Sequence, residues 1–204
     1  MKGIFITIEG PDGAGKTTQR ELLKEYLEKK GYDVLITRDP GGNPISEAIR
    51  EVILNKDFTE MGYMTELLLY ASARAQLVKE NIKPALDAGQ AVIADRFVDS
   101  SAVYQGIGRV DTVYKVNEFA LQGIMPDMTF LMDLDAQEGI SRKKNQAELD
   151  RMENEKMEFH QKVVDGYRML ADMHTERIVK IDATLPIDEI HGIIVGYVEK
   201  KLNL

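Results

Sequence analysis

Short apolar runs alternate with helix-like segments from one end of the chain to the other. Each run has about five residues, the length of a buried strand, and the runs cover residues 4–8, 34–37, 91–94, 129–132 and 178–181. Alternation of this kind is typical of a parallel sheet covered by helices on both faces. Ligands in such sheets bind beyond the carboxyl ends of the strands, so the residues that follow each run are the first candidates for a site.

The helix-like segments carry apolar residues three or four positions apart. Residues 16–30 form one such segment, which Gly31 ends as a C-terminal cap. Two further apolar stripes are Leu67, Leu68, Ala71, Ala75, Val78 and Ile82, and Ile187, Ile190, Ile194, Tyr197 and Val198. No repeat or flexible linker divides the 204 residues. We therefore expect a single α/β domain over residues 1–204.

Composition narrows the class of protein further. Apolar residues make up 44% of the chain, which is enough for a sizeable core. The net charge of −8 argues against a protein that coats nucleic acid or an anionic membrane. The chain has no cysteine, which excludes disulfides, thiolate metal sites and a cysteine nucleophile. No apolar run approaches the roughly 18 residues of a membrane span, and we expect a cytoplasmic protein.

The first strand is followed by a complete phosphate-loop motif, G-x-x-x-x-G-K-T. Its residues are Gly10, Pro11, Asp12, Gly13, Ala14, Gly15, Lys16 and Thr17, and together they are the predicted ATP-binding loop. Backbone N–H groups in such a loop converge on phosphate oxygens at the N-terminus of the following helix. Lys16 is expected to reach the β- and γ-phosphates, and Thr17 to bind Mg²⁺ through its hydroxyl.

Other sequence features separate the classes of protein that share this loop. A GTPase carries an N-K-x-D motif, but in Asn55-Lys56-Asp57-Phe58 the Asp comes one position early. A helicase or transporter ATPase has a strand that ends in Asp-Glu, whereas the third strand here ends in Asp95-Arg96. The remaining class is a small kinase that acts on a phosphorylated acceptor.

Several blocks together resemble the bacterial thymidylate kinase family, and the resemblance covers essentially the whole chain. Besides the phosphate loop, the blocks are residues 38–42 (RDPGG), 70–74 (YASAR), 95–106 (DRFVDSSAVYQG) and 149–153 (LDRME). The resemblance implies a three-layer P-loop kinase fold, with a five-stranded parallel sheet flanked by helices and a small mobile lid at about residues 139–153. It also implies phosphorylation of dTMP to dTDP by MgATP, a step in dTTP synthesis for DNA replication, and a homodimer.

The same resemblance assigns the acceptor side of the site. It places Arg38, Asp39 and Arg50 around the acceptor, although Asp-Pro-Gly-Gly alone is also a tight turn and Arg50 alone fits a solvated helix face. The family usually has Glu where this chain has Asp39, so a contact there must reach one methylene further. Tyr70 and Arg74 share one helix face, where the ring would stack on a pyrimidine and the guanidinium would donate to a base carbonyl.

The block that begins at Asp95 is expected to join acceptor and donor. Asp95 would hold water on Mg²⁺, and Arg96 would neutralise the phosphate between the two nucleotides. The residues implied to line the base and sugar pocket are Ser100, Ser101, Tyr104 and Gln105, with Gln105 at the pyrimidine edge and Tyr104 where a 2′-hydroxyl would sit. Asp12 is expected to accept the 3′-hydroxyl.

The last predicted site residue is a basic residue of the lid. The interior of the phosphate loop, residues 11–14, has no basic residue, unlike one branch of the family. The missing charge should then come from a lid arginine that closes over the phosphates, Arg142 first and Arg151 second. Lys143 and Lys144 remain alternatives, as does a solvated helix.

Two other functions stay open at this point. One is a kinase for another pyrimidine nucleotide or a deoxynucleoside, because the pocket for a 5-methyl group cannot be read from sequence. The other is a nucleotide-binding regulator without turnover. The three histidines have no acid partner at a telling spacing, and we interpret His160, His174 and His191 as structural.

Overall fold

The sheet has the predicted parallel architecture. The computed structural model describes residues 3–107, 109–144, 151–152 and 155–203. Within those residues, five parallel strands pair in the order β2-β3-β1-β4-β5. The strands are β1 (Ile4–Glu9), β2 (Val34–Arg38), β3 (Ala91–Asp95), β4 (Met128–Asp133) and β5 (Ile178–Asp182). All five strand predictions are therefore confirmed, each to within one residue at either end.

Helices connect the strands and cover the sheet. Their bounds are α1 (Lys16–Lys29), α2 (Pro44–Leu54), α3 (Tyr63–Leu77), α4 (Lys83–Asp87), α5 (Val98–Tyr104), α6 (Val110–Leu121), α7 (Ala136–Lys144), α8 (Met157–Met173) and α9 (Ile187–Leu202). One π-helical turn, Val78–Ile82, joins α3 to α4. None of the described helices is long and apolar enough to cross a bilayer.

The two faces of the sheet bury different side chains, because successive residues of a strand point to opposite sides. Ile4, Ile6 and Ile8 of β1 pack with α1 and α9, whereas Phe5 packs with the end of α3, the π-helical turn and α6. A third apolar cluster joins α5 and α8 to β4. The result is the three-layer arrangement that was predicted.

The predicted apolar stripes lie largely, but not wholly, in the core. Leu67, Val78 and Ile82 are fully buried, whereas Leu68 is half exposed. In α9, the buried positions are Ile190, Ile194 and Val198, while Ile187 and Tyr197 face solvent. The predicted cap at Gly31 is confirmed, since its φ of 88° ends α1 and its N–H donates to the Glu28 carbonyl oxygen.

Strand order also fixes where a ligand can bind. β1 lies at the centre of the sheet. From β1 the chain runs to β2 at one edge, returns to β3 beside β1, and then crosses to β4 on the other side. The crevice at the carboxyl end of β1 is the topological switch point, where open α/β sheets bind their ligands. The predicted lid falls partly on α7; residues 145–150 and 153 of it lie outside the described residues.

Candidate active site

A cavity of about 550 Å³ opens at the carboxyl ends of the strands. It brings together most of the predicted site residues: Asp12, Gly13, Gly15, Lys16, Thr17, Arg38, Asp39, Arg50, Tyr70, Arg74, Asp95, Arg96, Ser100, Tyr104 and Gln105. Arg20 and Met152, which were not predicted, also line it. Although the chain is acidic, the described lining has Lys16 and five arginines against three aspartates. Such a cavity suits an anionic ligand.

The phosphate loop is held against the lid-side helix α7 by close backbone packing. Gly13 has a φ of 78°, and a Cβ there would lie 2.3 Å from the carbonyl oxygen of Gly139. A side chain at Gly13 would therefore strain the backbone and push α7 away. Arg142 of α7 lies beside this contact, outside the cavity lining, where it pairs with Glu138 and donates to the Ala183 carbonyl oxygen at 3.3 Å.

Lys16 is folded back onto the loop that precedes it. Its Nζ donates to the carbonyl oxygens of Gly10 at 3.1 Å and Pro11 at 2.9 Å, and it lies 3.9 Å from Oδ1 of Asp12. Burial lowers the pKa of Lys16, and the charge of Arg96 lowers it further, while Asp12 opposes both effects. A phosphate that accepts from this amine would replace carbonyl partners with a charged one.

Arg96 joins the phosphate loop to helices α5 and α8. It has a left-handed φ of 66°, which turns the chain sharply after β3. Its guanidinium donates to Asp12 Oδ1 at 2.7 Å, to the Tyr167 hydroxyl at 2.9 Å and to Ser100 Oγ at 3.2 Å. Its Cζ also lies 5.1 Å from the centre of the Tyr104 ring. The charge is therefore held rigidly at the middle of the cavity.

A buried carboxyl group, Glu9, organises the base of that network. It accepts from the backbone N–H of Phe97 at 2.7 Å, from Ser100 Oγ at 2.6 Å and from the Tyr167 hydroxyl at 3.0 Å. Burial raises the pKa of Glu9 to about 7, helped by the negative charge of Asp99 and opposed by Arg96 and the hydrogen bonds. Sequence reasoning missed Glu9 and Tyr167. The position of Glu9 at the end of a buried strand was a usable signal, whereas nothing in the sequence marks Tyr167.

The start of α5 is anchored to the sheet by a second polar cluster. Asp99 accepts from both terminal nitrogens of Arg177, at 2.6 and 2.8 Å, and also from Thr129 Oγ1 at 3.2 Å. The Thr129 hydroxyl in turn bonds Thr7 of β1 at 2.7 Å. This cluster fixes the helix that carries Ser100, Ser101 and Tyr104.

Arg74 is engaged by protein groups on all sides. It is 1% exposed, and it donates to Asp39 Oδ2 at 2.5 Å, to Ser101 Oγ at 2.8 Å, to Asn117 Oδ1 and to the Phe97 carbonyl oxygen at 3.4 Å. Asp39 thus reaches Arg74 directly despite its shorter side chain. Burial raises the pKa of Asp39, and the charge of Arg74 opposes that rise. Ser101 faces Arg74 and lies outside the cavity lining, unlike Ser100.

Arg38 and Arg50 have protein partners at the outer rim of the cavity. Arg38 pairs with Glu47 at 2.7 Å, and Glu47 also accepts from the backbone N–H of Gly42 at 2.8 Å. Arg50 donates to the carbonyl oxygen of Pro40 at 3.0 Å. Both arginines still line the cavity, so the loop after β2 and the helix α2 present two cations to it.

The remaining predicted residues lie on different sides of the cavity. Thr17 and Asp95 both line it, and Asp95 Oδ2 lies 3.7 Å from Arg20. Arg151 lies outside the lining and pairs with Glu66 of α3. The three histidines also lie outside the lining: His191 packs edge-on against Tyr26, His174 pairs with Glu176 at 3.4 Å, and His160 bonds the Glu155 carbonyl oxygen at 3.2 Å.

Known proteins are similar to this chain in both sequence and fold. A family model described as thymidylate kinase matches residues 8–194. The thymidylate kinase of Geobacillus thermodenitrificans is 49% identical over 208 residues, which cover all of this chain and 92% of that protein. The thymidylate kinase of Exiguobacterium sp. (strain ATCC BAA-1283 / AT1b) is 45% identical and covers all of this chain and 97% of its own length.

A solved structure agrees with these sequence matches. The crystal structure of thymidylate kinase from Ehrlichia chaffeensis superposes with a TM-score of 0.79 at 30% identity, covering 97% of this chain and 99% of that one. The match spans the sheet, the helices and the phosphate loop together. With the family model and the full-length relatives, it establishes that the chain belongs to the thymidylate kinase family.

Proposed function

We propose that this protein transfers the γ-phosphoryl group of ATP to dTMP and releases dTDP and ADP. The observation that carries the proposal is a basic cavity that has the phosphate loop at one end and Tyr70 and Gln105 at the other. The membership of the thymidylate kinase family supports the choice of dTMP over other acceptors. Transfer between two bound phosphates needs no covalent intermediate, because positioning and charge neutralisation supply the catalysis.

At the donor end, the loop residues Gly10–Gly15 would hold the ATP phosphates through their backbone N–H groups. Lys16 would leave its two carbonyl partners for the β- and γ-phosphates, and the phosphates would compensate for its burial. The cavity also fits Mg²⁺. Thr17 and Asp95 both line this end, and Mg²⁺ takes few ligands from protein and fills its shell with water and phosphate oxygens. Bound there, the ion would neutralise charge on the transferred group.

At the acceptor end, three arginines would surround the 5′-phosphate of dTMP. Arg38 and Arg50 approach from the loop after β2 and from α2, and Arg96 lies between this end and the phosphate loop. Because Arg96 is already fixed by Asp12, Ser100 and Tyr167, it would meet the transition-state charge without reorganisation. Burial opposes the charge on Arg96, but Tyr104 and Asp12 raise its pKa well above the usual value.

The base and sugar would occupy the pocket beside α3 and α5. Tyr70 offers a ring face for the pyrimidine, and Gln105 offers an amide for its edge. Tyr104 would crowd a 2′-hydroxyl, and Asp12 would accept the 3′-hydroxyl while it keeps its contact with Arg96. We assign Arg74 mainly to positioning, because its donors already serve Asp39, Ser101 and Asn117.

The two lid arginines are proposed to act on different substrates. Arg142 adjoins the phosphate loop at Gly13, so it is the one suited to ATP. Arg151 bonds the Ile53 carbonyl oxygen at 2.9 Å and pairs with Glu66, so it belongs to the acceptor side. We keep Arg142 as the group that supplies the missing charge near the transferred phosphoryl group.

A homodimer formed through α2, α3 and α6 is part of the proposal. These three helices pack against one another and carry exposed apolar side chains, including Val52, Leu68 and Phe119, of which Phe119 is 84% exposed. Phe119→Asp should convert a dimer to a monomer in sedimentation velocity. Met169→Asp on α8 is the control, because Met169 is also apolar and is 61% exposed, and it should leave the dimer intact.

A coupled assay for ADP release tests the reaction itself. ATP is offered with each common nucleoside monophosphate and with the corresponding nucleosides. Turnover with dTMP above all others is the expected result. Turnover with thymidine alone would make the protein a nucleoside kinase, and tight nucleotide binding without ADP release would make it a regulator.

A further inference from the structure

Glu66 of α3 connects two residues that belong to different parts of the site. Its Oε1 accepts from Nε2 of Gln105 at 2.8 Å, and its Oε2 pairs with Arg151. Glu66 itself lies behind the cavity wall, where Gln105 forms the lining. Both of its oxygens are therefore occupied, one by the base pocket and one by the segment that precedes α8.

The contact with Glu66 decides which way the Gln105 amide points. A carboxylate has only acceptor atoms, so the group of Gln105 that faces it must be the NH₂ and not the carbonyl oxygen. Gln105 is 4% exposed, and its Oε1 is buried without a hydrogen-bond partner in the part of the chain that the structure describes. An unpaired buried acceptor is costly unless a ligand supplies the donor.

We propose that Glu66 is a positioning residue that sets the choice of pyrimidine, by holding Gln105 with an acceptor towards the base; this rests on the function proposed above. The amide then presents Oε1 and the second N–H of its NH₂ group. Thymine and uracil offer the matching pair, the N3–H donor and the O4 acceptor. Cytosine offers an N3 acceptor and an amino donor, so both contacts would be mismatched.

Arg151 gives Glu66 its second constraint. The guanidinium bonds the Ile53 carbonyl oxygen of α2 as well as Glu66 of α3, so it ties the carboxylate between two helices. Met152, the next residue, lines the cavity. The carboxylate that orients Gln105 is therefore also held by a residue whose neighbour lines the cavity.

Glu66→Gln tests the proposal with almost no change of shape. An amide at this position can offer either an acceptor or a donor, so Gln105 is no longer held in one orientation. We expect the ratio of kcat/KM for dTMP over dCMP to fall by about tenfold or more. The ratio for dTMP over dUMP should stay within about twofold, because those two bases share the same edge.

Glu80→Gln is the matched control. Glu80 accepts from Nε2 of Gln76 at 2.7 Å, the same pair of groups on an exposed helix surface, and its loss should leave all ratios unchanged. If Glu66→Gln keeps the wild-type ratio of dTMP over dCMP while it remains folded, the proposal is overturned. Absence of dTMP turnover in the wild-type enzyme would instead reject the proposed function, so the two failures are distinguishable.

A measurement on the wild-type protein covers the case in which Glu66→Gln does not fold. With ¹⁵N-labelled glutamine, one side-chain N–H of Gln105 should be protected from hydrogen exchange before any ligand is added. Addition of dTMP should then protect the second one. Exchange of both N–H groups at the rate of free glutamine in the unliganded protein would overturn the proposal.

Discussion

The donor end and the acceptor end of the cavity are built in opposite ways. Most of the proposed donor end is one continuous stretch, in which β1, the phosphate loop and the start of α1 follow each other within 14 residues, from Ile4 to Thr17. Asp95 at the end of β3 adds one side chain that is distant in the chain. The acceptor end is assembled from side chains of β2, α2, α3 and α5, which are far apart in the chain. The donor end depends on backbone geometry, whereas the acceptor end depends on side chains that hold one another.

This contrast predicts how each end responds to substitution. A change at the donor end removes a contact to the transferred phosphoryl group and leaves the fold alone. A change at the acceptor end also releases partners, because Arg74, Glu66 and Arg96 each bind several protein groups. The two ends meet at Arg96 and Glu9, which makes that junction the place where stability and function are coupled.

The largest expected effect is at the donor end. Lys16→Ala should lower kcat about a thousandfold, because it removes roughly 4 kcal/mol of charge-assisted contact from the transition state. Lys24→Ala, on the exposed side of the same helix, should leave kcat unchanged. Steady-state kinetics beside a thermal unfolding curve measure both. A folded Lys16→Ala protein with normal turnover would show that the loop is not the donor site.

The next largest effect is expected at Glu9, and it concerns the free energy of unfolding. Because the folded state raises the pKa of Glu9 to about 7, it binds a proton that the unfolded chain has already released above about pH 4.5. This contribution is present at low pH and is lost as the pH rises towards 7. Between pH 4.5 and 8, wild type should therefore lose roughly 3 kcal/mol relative to Glu9→Gln. Urea unfolding at several pH values measures this, and parallel curves for the two proteins would contradict it.

The two lid arginines test this contrast, because one adjoins the phosphate loop and the other contacts α2 and α3. Arg142→Ala should lower kcat about a hundredfold, since it removes charge beside the phosphate loop. Arg151→Ala should act mainly on the KM for dTMP, because its partners Glu66 and Ile53 belong to the acceptor side. Kinetics of the two single variants and the double variant separate these effects. The reverse pattern, with Arg151→Ala lowering kcat, would exchange the two assignments.

The smallest expected effect is at the pyrimidine edge. Gln105→Leu should raise the KM for dTMP about thirtyfold, because a buried base edge loses its partner at a cost of roughly 2 kcal/mol. The KM for ATP should barely change. Gln161→Leu, on the surface of α8, serves as the control. Equal losses for both substrates would mean that Gln105 supports the fold and not the base.

Sequence reasoning identified residues that line the cavity, but not what their side chains bind. Arg74 was expected to donate to a base carbonyl, and the structure engages it with Asp39, Ser101 and Asn117. Ser101 was expected in the pocket and instead faces Arg74. Glu9, Glu66 and Tyr167 belong to no sequence motif, because each forms its hydrogen bonds with residues that are distant in the chain. To predict the partners of these three side chains, one must know how α3, α5 and α8 pack in the folded protein.

The sequence alone predicts where the strands lie along the chain, the phosphate loop, and a site at the carboxyl ends of the strands. The strands follow from local periodicity, and the phosphate loop follows from a motif of consecutive residues. The contacts that both require therefore lie close together in the chain. Two sets of contacts can be seen only in the folded protein. Arg96 bonds Asp12 and Tyr167, and Glu66 bonds both Gln105 and Arg151. Those contacts depend on how separate helices pack. Buried donors and acceptors must find partners, and this requirement sets the orientation of the side chains.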